Sequence, residues 1–212
     1  VFKPSEFTPG VGKMLAESFN KISKLPNVLQ TITGLGETGK ALCESAISKL
    51  AFTGSTRTAK LVAETCAKNM TPVLLECGGK DPVLVDKDAN IKLAAEYTIW
   101  SAMANAGQSC IGAERVYVHQ KVADKFKEEI LHTIASLDVG NKYGPITLPK
   151  QIEIIRRHVQ DAKASGAKML VGDLDSIGDI TVAPIVMTDV PEDCSAMTEE
   201  TFGPTIAINT VE

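Results

Sequence analysis

The chain has 212 residues, 44% hydrophobic and 23% charged, with a formal net charge of −4. That balance is ordinary for a globular protein with a real core, in one large domain or two small ones. No basic stripe points to nucleic acid, no apolar run reaches bilayer length, and no secretory leader pattern opens the chain.

Helical and extended segments alternate from the start. After Pro9, Val11, Met14, Leu15, Phe19 and Ile22 recur at helical spacing, and Pro26 stops that helix. Residues 28–33 read as a short buried strand. Gly34, Gly36 and Gly39 make a turn before a short helix reaching about residue 47. A strand at 50–53 leads into Gly54-Ser55, where Ser55 is a good N-cap for the next helix. Another strand covers 71–77 and ends at Gly78-Gly79, the best candidate for a domain boundary. Beyond it come a strand at 83–85, a helix at 91–105 and a strand at 114–119. Two helices follow, on stripes at Val122, Phe126, Ile130, Ile134 and at Ile152, Ile155, Val159, Ala162. Short strands at 169–171 and 184–187 precede a last strand from Pro204. Strands separated by helices of this length predict a parallel α/β sheet.

The five cysteines, Cys43, Cys66, Cys77, Cys110 and Cys194, are odd in number and show no paired spacing. They argue against a disulfide framework and for a reducing, cytoplasmic setting. His119, His132 and His158 are scattered, so no metal site is expected.

Five features carry chemistry. Cys110, after Gly107-Gln108-Ser109, is a candidate exposed thiol, although alone it reads more readily as a small buried hydrophobe. Glu76 ends an apolar strand before paired glycines; buried, its carboxyl would be shifted upward into the range of a general base, while in solvent it is only a strand-end charge. Phe52-Thr53-Gly54-Ser55 joins a strand to a helix N-terminus, a geometry suited to phosphate. Gly34-Leu-Gly36-Glu-Thr-Gly39 spells a weak dinucleotide fingerprint. Lys3 and Glu6, fixed by Pro4, could hold ribose hydroxyls or lie in a solvated loop.

Lys3-Pro-Ser-Glu6, Phe52-Thr-Gly-Ser55, Leu75-Glu-Cys-Gly-Gly-Lys80, Gly107-Gln-Ser-Cys110 and Glu199-Glu-Thr-Phe-Gly-Pro204 occur in this order. Together they resemble the aldehyde dehydrogenase superfamily, NAD(P)-dependent enzymes, over essentially the whole chain. The resemblance implies that Cys110 attacks an aldehyde and that Glu76 activates the water that hydrolyses the resulting thioester. It implies that Lys3 and Glu6 hold the adenine ribose, that Gly36 lies beside the adenine, and that Gly54 and Ser55 serve the pyrophosphate. Glu200 and Phe202 would hold the nicotinamide ribose and ring. The Gly34–Gly39 spelling is then no standard fingerprint. A carboxylate at Glu6 favours NAD over NADP. The expected substrate is a small aldehyde, with a semialdehyde as the first guess. Retention of Glu76 argues against an acylating relative.

The resemblance also implies departures. Full members are much longer, and an upstream Asn that helps stabilise the oxyanion is not found here; losing such a donor costs roughly two to three powers of ten in rate. The loop at residues 139–145 looks shortened, and both ends look cut, so the chain reads as a truncated member. The expected fold is α/β: an incomplete Rossmann-like cofactor domain at 1–77, then a catalytic, cysteine-bearing α/β domain at 78–212. Open sheet edges should favour a homo-oligomer or a partner chain. The competing expectation is a non-catalytic remnant that acts only in binding or assembly.

Overall fold

The structure, a computed structural model, describes residues 1–138 and 143–212. The reading of 139–145 as a shortened loop falls largely on 139–142, outside the described residues. The chain divides into two compact units, Val1–Cys77 and Gly78–Glu212. Both are α/β with parallel strand pairing. No helix among the described residues is long and apolar enough to cross a membrane.

The first unit holds α1 (Pro9–Ile22), α2 (Gly36–Glu44), β1 (Leu50–Gly54), α3 (Thr56–Ala67) and β2 (Val73–Cys77). Pro9 sits at the start of α1, where its missing N–H is harmless. The apolar stripe of α1 forms at the expected spacing, but Val11, Met14, Leu15, Phe19 and Ile22 are exposed, while Gly12 and Ala16 are buried. Gly12 is needed because a Cβ there would come 2.5 Å from the Pro4 ring. Ser55 caps α3 by accepting from the Thr58 N–H at 3.3 Å. β1 and β2 pair in parallel, which sets Glu76 opposite Thr53 and Cys77 opposite Gly54.

The segment 28–33 is not a strand. It makes one parallel bridge, Phe2 to Thr31, through Phe2 N–H to Gln30 O (2.7 Å) and Ile32 N–H to Phe2 O (3.0 Å). Its apolar residues suit an extended conformation, but a strand needs a partner over several residues, and here the pairing covers one.

The second unit is a five-stranded sheet in the order β3-β4-β7-β6-β5, built from β3 (Asp81–Val85), β4 (Ala113–His119), β5 (Lys168–Val171), β6 (Ile185–Thr188) and β7 (Thr205–Val211). Only β5 among these runs antiparallel to its neighbour. Helices α4 (Ile91–Met103) and α5 (Ala123–Ala135) cover one face, and α6 (Pro149–Ala164) covers the other. Side chains alternate accordingly. Val116, Val118, Ile206 and Ile208 pack with Ile99, Phe126 and Ile130, whereas Ile185, Met187 and Ala207 pack with Ile155 and Val159.

A short helix α7 (Ser195–Thr198) occupies what the sequence presents as a polar loop. Cys194 is its N-cap residue. It is buried, and its thiol donates to Asp161 Oδ2 at 3.3 Å, beside Ser195 N–H (2.9 Å) and Ser195 Oγ. One carboxylate on α6 thus caps the short helix, a tertiary contact that polarity alone does not reveal.

Candidate functional site

In the first unit the structure brings Lys3, Glu6 and the glycine turn together. Lys3 Nζ donates to the carbonyls of Pro4 and Gly34, each at 2.9 Å, and lies 3.9 Å from Glu6 Oε2. The lysine therefore ties the first turn of the chain to the turn ahead of α2. Gly36 opens α2 with free space around it, and Gly39 lies against the Lys3 stem. Gly54 ends β1, and Ser55 starts α3, whose first N–H groups have no intrahelical partner. Glu76 is exposed on β2, so the burial on which an upward-shifted carboxyl was conditional is not found.

In the second unit, α4 ends in a turn of unusual backbone. Asn105 (φ 54°), Ala106 (φ 57°) and Gly107 (φ 70°) are consecutive left-handed residues, and Ala106 is fully buried. A non-glycine residue is held there only when its surroundings over-determine it. Gln108 is the staple. Its amide donates to Asn105 O (2.9 Å) and Pro145 O (3.2 Å), and accepts from Thr147 N–H (2.8 Å). A tight turn follows, closed by Gly112 N–H on Ser109 O at 3.1 Å, with Cys110 and Ile111 exposed at its corner.

Residues 199–204 link α7 to β7 without regular structure, so their backbone N–H groups need outside partners. Glu114, on β4, supplies them. Its carboxylate accepts from Thr201 N–H (2.8 and 3.0 Å) and from Phe202 N–H (2.8 Å), and holds Phe202 at φ 48°. Lys80 neutralises that carboxylate at 2.5 Å, with side-chain exposures of 9% and 5% for the pair. Burial lowers the Lys80 ammonium from its usual range against the pull of Glu114. Glu200 is half-buried over Gly78, where a Cβ would overlap its carboxylate at 1.9 Å. Burial, with the Glu114 charge second, raises its carboxyl above the usual range, and its Oε1 has no partner.

The two loops meet. A Cβ on Gly107 would lie 2.1 Å from the Gly203 carbonyl oxygen, so the cysteine loop and the segment bearing Glu200 and Phe202 pack backbone to backbone. Cys110, Glu200 and Phe202 therefore lie on two touching loops of the second unit, while Lys3, Glu6, Gly36, Gly54, Ser55 and Glu76 belong to the first.

The sequence reading assigned no role to Gln108, Lys80, Glu114, Thr201 or His158. Their weak signals were a lysine after paired glycines, an acid opening a β-rich strand and a histidine inside an apolar helical stripe. Among the described residues, no group of three or more His, Cys, Asp or Glu could hold a metal ion.

The family model described as the aldehyde dehydrogenase family matches residues 1–212. Glutarate-semialdehyde dehydrogenase of Pseudomonas putida is 37% identical over 212 residues, covering 96% of this chain and 44% of that protein. D-glyceraldehyde dehydrogenase (NADP(+)) of Picrophilus torridus is 34% identical over 223 residues, covering 100% of this chain and 45% of the other. A crystal structure of NAD-dependent aldehyde dehydrogenase from Sinorhizobium meliloti aligns with a TM-score of 0.94 at 32% identity, over 99% of this chain and 44% of that one. The chain spans less than half the length of these relatives.

Proposed function

The chain belongs to the aldehyde dehydrogenase family, and from that premise we propose that it serves the oxidation of an aldehyde to a carboxylic acid with NAD, with Cys110 as nucleophile. The observation that carries this reading is the contact between Gly107 and Gly203, which sets the exposed thiol's loop against the loop of Glu200 and Phe202. In this reading the first unit belongs to a Rossmann-like cofactor domain and the second to the catalytic domain.

The residues fit a dinucleotide. Glu200 Oε1 is a buried acceptor without a partner, suited to a ribose hydroxyl of the nicotinamide half, and Phe202 is held beside it. Glu6, oriented by Lys3, would accept from the adenine ribose hydroxyls and repel a 2′-phosphate, which favours NAD over NADP. Gly36 would leave room for the adenine, and Gly54 and Ser55 would serve the pyrophosphate at the α3 N-terminus.

Cys110, as thiolate, adds to the aldehyde carbon and gives a thiohemiacetal, whose oxyanion can accept the Cys110 backbone N–H. The dinucleotide, when bound, supplies the hydride acceptor. Loss of hydride from the same carbon leaves a thioester on Cys110. Glu76 takes a proton from the water that attacks it, and the acid departs as the thiol is restored. The glutarate-semialdehyde dehydrogenase relative supports a semialdehyde as first candidate.

The test is reduced-nicotinamide absorbance with a panel of short aldehydes and semialdehydes, comparing the chain with Cys110→Ser and NAD with NADP. Turnover by wild type alone supports the reading; none with any aldehyde leaves a role in binding or assembly. One observation favours that second reading. Leu93, Tyr97 and Trp100 on α4 are exposed together, an apolar face suited to a second copy or a partner chain.

A further inference from the structure

We propose that Lys80, Glu114, Thr201 and His158 form a buried latch that holds residues 199–202 in the one shape that presents Glu200 and Phe202 to a nicotinamide ribose and ring. The proposal rests on the dinucleotide reading of those two residues. The four latch residues come from four places: the segment before β3, β4, the irregular link to β7, and α6. None carries the chemistry of the reaction, so they are positioning residues.

Lys80 can only donate, and it donates to Glu114 Oε2 and, at 3.1 Å, to Thr201 Oγ1. The Thr201 hydroxyl is also hydrogen-bonded to His158 Nδ1 at 3.0 Å, in a direction set by the tautomer of the ring. His158 Nε2 faces Glu199 Oε2, an acceptor, at 3.3 Å and the Arg157 guanidinium, a donor, at 3.1 Å. Arg157 also donates to the same Glu199 oxygen at 2.6 Å, so the three side chains are tied together. A continuous hydrogen-bonded chain thus runs from the buried ammonium through Thr201 and His158 to the outer carboxylate of Glu199. His158 is fully buried, so every polar atom of its ring depends on these partners.

Glu200 stands between the two anchored residues, Glu199 and Thr201. Its backbone is pinned on both sides while its own Oε1 stays free. Phe202 is kept in a left-handed conformation by its N–H bond to Glu114. A buried ion pair adds little to stability compared with apolar packing of the same volume, and its better-attested use is to select one conformation. An irregular segment that must aim two side chains is where such selection is needed.

The experiment uses the full chain and three variants: Glu114→Gln, Thr201→Val and Thr201→Ser. Amide hydrogen exchange is followed for the peptide spanning residues 199–204, with a peptide from α5 as internal reference, and NAD affinity is measured by titration calorimetry. Glu114→Gln is expected to speed exchange in the segment and to weaken NAD, each by about tenfold, with the reference unchanged. Thr201→Val, which removes only the hydroxyl, shifts both the same way by less, and Thr201→Ser restores both. If Glu114→Gln does not fold, the threonine pair decides. Unchanged exchange in the segment, or a loosened segment with unchanged NAD affinity, overturns the latch. A wild-type chain with no affinity for NAD overturns the assignment of Glu200 and Phe202 and this use of the latch together; the exchange result is independent of it, so the two failures are separable.

Discussion

Gly107 stands so close to Gly203 that a methyl group on its α-carbon would meet the Gly203 carbonyl oxygen at 2.1 Å. The neighbour in conflict is backbone, closing into β7, and cannot swing aside. Gly107 also has φ 70°. Overpacking of this kind costs about 1–3 kcal/mol, and left-handed backbone at a residue with a Cβ adds about 1–2 kcal/mol. Gly107→Ala should therefore lower the urea midpoint of unfolding clearly. An unchanged midpoint would mean that the two loops do not pack in this way.

Cys110 should be the first thiol to react in the native chain. It is exposed, whereas Cys43, Cys66 and Cys194 are 4%, 0% and 4% exposed and Cys77 is half-buried. Titration with an aromatic disulfide, read by peptide mass, should label Cys110 ahead of the others, and denaturant should release the buried three. Early labelling of Cys194 would contradict its burial against Asp161.

Gln108 joins the cysteine loop to the segment after Tyr143 by two hydrogen bonds, with Pro145 and Thr147, and braces its own turn by a third, to Asn105. Each is worth about 1 kcal/mol net, so Gln108→Ala should destabilise the chain by about 1–3 kcal/mol. The rate at which Cys110 is alkylated should change in parallel, because the staple sets the turn that carries it. A variant with the wild-type midpoint and alkylation rate would show that the staple is not formed in solution.

His158 makes stability depend on acidity. Burial pushes its imidazole below the ordinary histidine range, against the partial support of Glu199. The unfolded ring titrates near about pH 6.5. Between that value and the lower folded one, the unfolded chain holds a proton that the folded chain does not. Stability is therefore fully present above the window and falls as pH drops through it. His158→Gln should flatten this part of the profile, read as denaturant midpoints from neutral to mildly acidic pH. An equal slope in wild type and variant would assign it to other groups.

Periodicity found the helices α1, α4, α5 and α6, because each helix closes its own hydrogen bonds and its apolar spacing is local. It missed at 28–33, where extended residues found only Phe2 as a partner. Strand formation depends on what lies alongside, and no spacing reports that. The short helix α7 escaped periodicity for a similar reason, since Asp161, which caps it, lies far away in sequence.

By itself the sequence determined the α/β class, the ordered motifs and Cys110 and Glu76 as candidates for the chemistry, because these depend on residue type and on neighbours along the chain. Only the tertiary structure decided that Glu76 is exposed, that Ala106 and Phe202 are held left-handed, and that Lys80 and Glu114 meet in the interior with Thr201. Those facts arise from burial and from hydrogen bonds between residues 34 to 121 positions apart, where the free energy of a charge or an amide is set by what surrounds it in space.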